Sequence, residues 1–317
     1  MQGYSRRLAA DGAGNRLRSA VWLLLLSAML LSGCAAGNSE GRSDGSPSGS
    51  PQQATTAAED RGPRIVATTV AIAEILDALE VELVGVPTSS KPLPARYDGL
   101  TEVGNPMSPD MEMVRMLKPD EVLSVTTLEY DLAPKFESAG VQAEFLDFTS
   151  LDSMNAAIIN LGERYGRQEQ AERLVQQHLQ KLEELQSAAA GKPAPSVLIL
   201  MGIPGSYLVA TEHSYIGDLV RRLGGTNVVQ GEQVEYVASN TEHLQQANPD
   251  VILRAAHGLP DEVVKMFDAE FKKNDIWKHF SAVKTGRVYD LEETLFGTTG
   301  NLAVGEALEE LMELLYE

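Results

Sequence analysis

Two seven-residue stretches constrain this chain more than any other feature. Leu117-Lys118-Pro119-Asp120-Glu121-Val122-Leu123 and Ala247-Asn248-Pro249-Asp250-Val251-Ile252-Leu253 carry one signal. In each, an amphipathic run ends, Pro-Asp turns the chain, and an apolar strand begins. Proline cannot continue a helix, so the stop is sharp. A repeat this short is slight evidence alone. Its matching place in the two halves predicts two similar lobes.

The surrounding pattern fits. Residues 64–67, 82–85, 121–125 and 143–148 read as strands, and 70–79, 111–117 and 128–138 as amphipathic helices. This alternation predicts a mostly parallel sheet flanked by helices. After the Gly191-Lys192-Pro193-Ala194-Pro195 break, strands at 197–201, 251–254 and 288–291 alternate with helices at 216–223, 239–246, 261–271 and 302–316. Between the halves, 152–190 is helical apart from a break at Gly166. Its second piece puts Ala171, Leu174, Val175, His178, Leu182 and Leu185 on one stripe. At about 1.5 Å per residue that piece spans roughly 34 Å, enough to join two lobes; an ordinary long surface helix is the plainer alternative. The predicted architecture is α/β: two Rossmann-like lobes, 63–166 and 191–317, joined by a single long helix at 167–190, with ligand between them.

The chain's beginning reads as a targeting signal. Arg6, Arg7, Arg16 and Arg18 precede an apolar run at 21–31, shorter than the roughly 20 residues of a membrane span and suited to a signal peptide. The run ends in Leu31-Ser32-Gly33-Cys34, small residues ahead of a cysteine, as at a lipoprotein cleavage site. Residues 1–33 are expected to be removed and Cys34 lipidated. Cys34 is the one cysteine in the chain, so an intrachain disulfide and a CxxC site are excluded. Residues 35–62, rich in Ser, Gly, Pro and Ala, cannot bury enough surface to offset chain entropy. They are expected to tether the folded part roughly 30 Å from the membrane's outer face. The formal net charge of −19 argues against nucleic acid as a partner and against docking on an anionic bilayer without an anchor.

Enzyme signatures are scarce. Gly202-Ile203-Pro204-Gly205-Ser206 has the wrong form for a nucleophile elbow, and neither HExxH nor a phosphate loop occurs. Among the histidines, His178 lies on the apolar helix stripe, His213 and His243 near helix starts, and His279 beside Trp277. His257 follows the 251–254 strand, before Gly258, Pro260 and a new helix. Ligands of open α/β sheets bind beyond the carboxyl ends of strands, so His257 is read two ways, as a surface-loop histidine or as a ligand. Met107, held between Pro106 and Pro109, is its counterpart in the first half, either covering apolar surface or facing a cleft; Met111, Met113 and Met116 read as helix core. A thioether and an imidazole form a known axial pair for haem iron and a poor set for structural zinc.

Several longer stretches go further: Arg64-Ile65-Val66-Ala67-Thr68-Thr69-Val70, Gly104-Asn105-Pro106-Met107, Leu200-Met201-Gly202-Ile203-Pro204-Gly205-Ser206-Tyr207-Leu208-Val209-Ala210-Thr211, Ser214-Tyr215-Ile216-Gly217-Asp218-Leu219 and Asn274-Asp275-Ile276-Trp277-Lys278-His279-Phe280. On these the chain resembles the haem-receptor lipoproteins of iron-regulated surface determinant importers, within the siderophore, haem and corrinoid binding proteins. The resemblance implies a periplasmic-binding-protein-like fold of the single-helix type, with small opening motions. It implies haem b (iron protoporphyrin IX) held by Met107 and His257, and a carrier rather than an enzyme. Implied partners are an ABC permease with its ATPase, and upstream cell-wall haem-transfer proteins. The backbone amides of Val70 and Ala71, at a helix start, and Ser89 and Ser90 are expected to serve the haem propionates; plain capping and turn chemistry is the alternative. Ser90 departs from the aromatic expected after the first serine. Glu74 and Asp218 are expected to turn outward and pair with permease arginines. The rival cargoes are a ferric siderophore or a corrinoid; an exported hydrolase is the rival of another class.

Overall fold

The computed structural model describes residues 62–316, with the side chains of 241–243 excepted. The expected leader, Cys34, most of the tether and the His243 side chain lie outside the described residues. Among the described residues, no helix is long and apolar enough to cross a membrane.

The first sheet is built from β1 (Ile65–Ala67), β2 (Gly85–Val86), β3 (Thr101–Glu102), β6 (Glu121–Val125) and β7 (Ala143–Leu146) in the order β3-β2-β1-β6-β7. Every pairing in it is parallel. A two-stranded hairpin, β4 (Gly104–Asn105) with β5 (Ser108–Pro109), projects after β3. Helices α1 (Val70–Ala78), α2 (Met111–Met116) and α3 (Glu129–Ser138) make the crossovers. The strand expected at 82–85 is shifted: Leu83 is buried, but pairing begins only at Gly85, opposite Val66. Met116 is exposed, contrary to the core role expected of it.

Helices α4 (Leu151–Arg164) and α5 (Gln168–Ala189) follow, broken at Gly166, whose φ of +66° suits a helix end. Ser150 caps α4 through a reciprocal bond with Ser153. The second sheet runs β11-β9-β8-β12-β13, from β8 (Ser196–Ile203), β9 (Ser206–Ala210), β11 (Tyr236–Ala238), β12 (Val251–Ala256) and β13 (Val288–Asp290), with β10 (Thr226–Asn227) beside the start of β8. Helices α6 (Tyr215–Arg222), α7 (Thr241–Ala247), α8 (Pro260–Lys273), α9 (Ser281–Thr285) and α10 (Val304–Tyr316) complete it. β9 pairs antiparallel with β8, and β11 with β9, an addition absent from the sequence reading.

The repeated Pro-Asp stretches do the same work in both sheets. Lys118 and Asn248, each before the proline, take φ of +46° and +42°. Asp120 then accepts the Arg64 amide at 2.8 Å and returns its own amide to the Arg64 carbonyl at 2.8 Å. Asp250 accepts the Ser196 amide at 2.8 Å and donates to the Ser196 carbonyl at 2.9 Å. A helix end is thus locked onto the first strand of each sheet. These bonds hold the Asp250 carboxyl below its ordinary range.

One apolar cluster runs through both sheets. It takes Ile65 and Leu123 from the first, with Ile72 and Leu76 of α1, and Ile199, Met201, Leu253 and Ala255 from the second. Met154 and Ile158 of α4, Leu182 of α5, Ile216 of α6, and Leu308 and Leu311 of α10 connect them. Inside this helical layer the Asn155 carbonyl accepts from His178 Nδ1 at 2.8 Å, and both side chains are buried. Burial pushes the His178 imidazole down to about 4. The unfolded chain then takes up this proton below about 6.5 while the folded one refuses it until about 4, so stability is fully present above pH 6.5 and falls as pH drops toward 4. The whole loss is at most about 3 kcal/mol for this group. Urea melts from pH 7 to pH 4 should show it, and His178→Gln should flatten that part of the profile.

Candidate functional site

In each sheet the parallel strands deliver loops to their carboxyl ends. Met107 and Pro106 form the two-residue turn between β4 and β5, where the Asn105 side chain accepts the Met107 amide at 2.9 Å. The hairpin is fixed from beneath: Thr88 donates to the Gly104 carbonyl at 2.9 Å, and Asp110, which caps α2, donates to Val103 at 2.7 Å. Gly104 is required here, since φ is +95° and a Cβ would lie 3.0 Å from the Asp110 amide. The turn leaves the Met107 side chain 56% exposed, far more open than a core methionine.

His257 directly follows β12, and its amide bonds the Gly202 carbonyl at the end of β8 at 2.8 Å. Gly258 and Leu259 continue with φ of +72° and +48° into α8, which starts at Pro260. A left-handed leucine costs energy, and this one is exposed, as is Ile203 at the end of β8. Apolar side chains therefore stand open beside a half-buried imidazole. The His257 pKa is lowered, chiefly by burial and partly by Lys91, while the Glu293 carboxylate acts the other way. The ring is neutral at pH 7 and free to donate a lone pair.

Lys91 and Glu293 are the residues the sequence reading missed. Lys91 follows β2 in the first lobe, and its Nζ donates across the cleft to the Glu293 carbonyl at 3.1 Å. The Glu293 carboxylate accepts the Gly258 amide at 2.8 Å. Tertiary contact alone brings them together, and neither stands in a motif. One loop after β2 serves both sides: Thr88 holds the Met107 hairpin at Gly104, and Lys91, three residues on, reaches Glu293, which holds the His257 turn at Gly258.

The remaining expected site residues separate. Thr69 caps α1, accepting from Ile72 at 3.4 Å; the Val70 and Ala71 amides make no hydrogen bond among the described residues. Ser89 and Ser90 are exposed, and the Ser89 hydroxyl accepts the Lys91 amide at 2.9 Å, which is turn chemistry. Glu74 is half-buried on α1. It lines a cavity of about 400 Å³ between the lobes with Asp77, Asn301 and Glu306, where burial raises its pKa against the field of Lys91. Asp218 overturns the docking expectation: it is 4% exposed. Its Oδ2 accepts the Leu151 amide at the start of α4 at 2.9 Å and Arg222 Nε at 2.7 Å, and Arg221 closes on Oδ1. Arg222 also reaches Asp152 at 2.7 Å. The carboxylate is a structural clamp, because its partners leave no face for another protein.

Comparison with known proteins agrees with this geometry. The periplasmic binding protein family model matches residues 65–295. The chain belongs to the periplasmic binding protein family. As a periplasmic binding protein it is 46% identical over 299 residues to the high-affinity heme uptake system protein IsdE of Staphylococcus aureus, covering 93% of this chain and 96% of that one. The crystal structure of S. aureus IsdE complexed with heme aligns with a TM-score of 0.78 at 49% identity, over 80% of this chain and 99% of that chain. An ABC transporter substrate-binding protein from Listeria monocytogenes EGD-e aligns with a TM-score of 0.77 at 60% identity, over 81% and 99%.

Removing the Asp218 carboxylate strands the Leu151 amide and leaves Arg222, its side chain 11% exposed, with Asp152 alone. Asp218→Ala should cost about 3–5 kcal/mol, as for breaking other buried pairs, in denaturant unfolding of the purified protein. A cost below about 1 kcal/mol, the value of an exposed pair, would return Asp218 to the surface.

Proposed function

We propose that this protein is the haem-binding component of an ABC importer, taking haem b between its lobes with Met107 and His257 as axial ligands and passing it to a permease. The observation that carries the reading is the pairing of an exposed thioether on a stiff hairpin with a neutral imidazole at the carboxyl end of the opposite sheet, with the two lobes tied beside them by the Lys91 bond to Glu293. The sites of the two lobes differ as the cargo requires. Met107, Ile203 and Leu259 offer exposed apolar surface to a macrocycle. The amides of Val70 and Ala71 at the positive end of α1, without partners among the described residues, suit a propionate, with Ser89 and Ser90 at the rim. A carrier needs no acid–base set, and the residues brought together here bind and orient. Cys34 would bear the lipid anchor that keeps so acidic a chain at the outer face of the membrane, within reach of the permease and of haem-donating proteins.

Purified protein mixed with haem should give a one-to-one, six-coordinate, low-spin spectrum, with magnetic circular dichroism of Met/His ligation. A five-coordinate spectrum, or uptake of a ferric siderophore or corrinoid but not haem, would overturn the reading. His257→Ala should weaken ferric haem binding by more than the 10- to 100-fold typical of an outer-shell change. Met107→Ala should cost less, since a thioether is the weaker ligand for ferric iron.

Proton and iron compete for the same imidazole nitrogen. Burial already lowers the His257 pKa from its ordinary value of 6.5, and ligation lowers it further. Haem should therefore be held at pH 7 and released only in clearly acidic buffer, measured by transfer to apomyoglobin. Affinity constant down to about pH 4 would exclude histidine ligation.

A further inference from the structure

Glu293 sits in the loop after β13 and meets the site at three points. Its carboxylate accepts the Gly258 amide at 2.8 Å, its carbonyl accepts Lys91 Nζ at 3.1 Å, and its charge acts on the His257 ring. Its neighbour Glu292 faces elsewhere: that carboxylate accepts the Thr294 hydroxyl, and its field falls on Glu310. The two acids are adjacent in sequence and differ in what they touch.

The turn that Glu293 grips needs an anchor. Two successive left-handed residues, Gly258 and Leu259, follow His257, and the Leu259 conformation is unfavourable for a side chain with a Cβ. The His257 amide is tied to Gly202 at 2.8 Å. The next amide is tied to Glu293 and nothing else among the described residues. With both bonds the peptide that carries the imidazole is fixed at both of its ends; with one it can swing.

We propose that Glu293 is a positioning residue for the iron ligand His257, its carboxylate holding the His257–Gly258 turn and placing negative charge beside the imidazole. The inference rests on the haem reading above. A carboxylate near a metal-bound imidazole raises the ligand's basicity and fixes its orientation. Negative charge there favours ferric over ferrous iron, because the higher oxidation state carries the larger positive charge. Through the Lys91 bond to its carbonyl, the same residue couples the ligand turn to the opposite lobe.

The test uses haem-loaded protein and three variants, Glu293→Gln, Glu293→Ala and Glu292→Gln. Two quantities are read: the midpoint potential by spectroelectrochemical titration, and the rate of ferric haem transfer to apomyoglobin. Glu293→Gln keeps an acceptor for Gly258 and removes the charge. It should retain the low-spin spectrum, raise the midpoint potential, and weaken ferric haem binding up to about tenfold. A tenfold change confined to the ferric state corresponds to about 59 mV for a one-electron couple. Glu293→Ala should show the same rise and faster transfer, having lost the anchor as well. Glu292→Gln should match the wild type in both. The potential is the readout that a purely structural role would leave unmoved. Wild-type potential and transfer rate in both Glu293 variants would overturn the inference, as would an equal shift in Glu292→Gln. If the wild-type protein itself fails to bind haem, the haem reading falls and this inference with it; wild-type binding with unmoved variants defeats the inference alone.

Discussion

The relation between the two lobes depends on one buried carboxylate. Asp218 lies at the start of α6 in the second lobe and takes the first amide of α4, the helix by which the chain leaves the first. An ionised group at 4% exposure is tolerated only when its lone pairs are filled. Leu151, Arg221 and Arg222 fill them. Arg222 doubles the tie through Asp152. The apolar cluster shared by both sheets surrounds this clamp and passes through α4, α5, α6 and α10. Rotating the lobes far apart would expose that cluster and unpair the carboxylate together. Large hinge motion is therefore costly, and movement belongs at the cleft mouth, where Lys91 and Glu293 meet through one side-chain-to-carbonyl bond.

Strand direction then decides where ligand chemistry can sit. Parallel strands joined by crossover helices present all their carboxyl ends on one edge, and two such sheets bridged by a helical layer can point those edges at a common space. The two ligand candidates are held by different means. Met107 lies on a hairpin whose geometry comes from prolines, Asn105 and Gly104, with no left-handed residue other than glycine in it. His257 lies on a turn that forces Leu259 into the left-handed region and leaves it exposed. Strain and exposed apolar surface coincide beside the imidazole: among the described non-glycine residues with positive φ, Glu80, Lys118, Asn248 and Leu259, the leucine alone is apolar. That is the expected distribution when local stability is given up for binding.

What was legible in the sequence follows the range of the interactions. The Pro-Asp repeats could be read because the signal is local, and their structural role, locking onto Arg64 and Ser196, recurs in both lobes. The break at Gly166 and the stripe holding Ala171, His178 and Leu182 were legible for the same reason. The β9 strand was missed although a signal existed: Pro204-Gly205 is a turn pair, and Gly205 takes φ of +85° between Ile203 and Ser206, which face each other. Asp218 was misread because a carboxylate in the first turn of an amphipathic helix ordinarily faces water and the helix dipole. Its burial is decided by Leu151, 67 residues away. Lys91 and Glu293 are 202 residues apart, and no local pattern could have paired them.

Charge poses the last physical question. A chain at −19 repels an anionic ligand at long range, and haem carries two carboxylates. Such a field is screened beyond roughly 8 Å at physiological ionic strength, so binding is decided by what stands inside that distance. Within the cleft one cation, Lys91, stands among Glu74, Glu293 and Glu306. Lys91 is drawn inward and acts on both Glu74 and His257, and the amino end of α1 presents amides that no group among the described residues takes. Burial raises the Glu74 pKa, and Lys91 opposes the shift. The acidic surface disfavours approach to an anionic bilayer, while Lys91 and the amino end of α1 face the space between the lobes. Net charge and site charge answer to different demands, and only the second is set by the cargo.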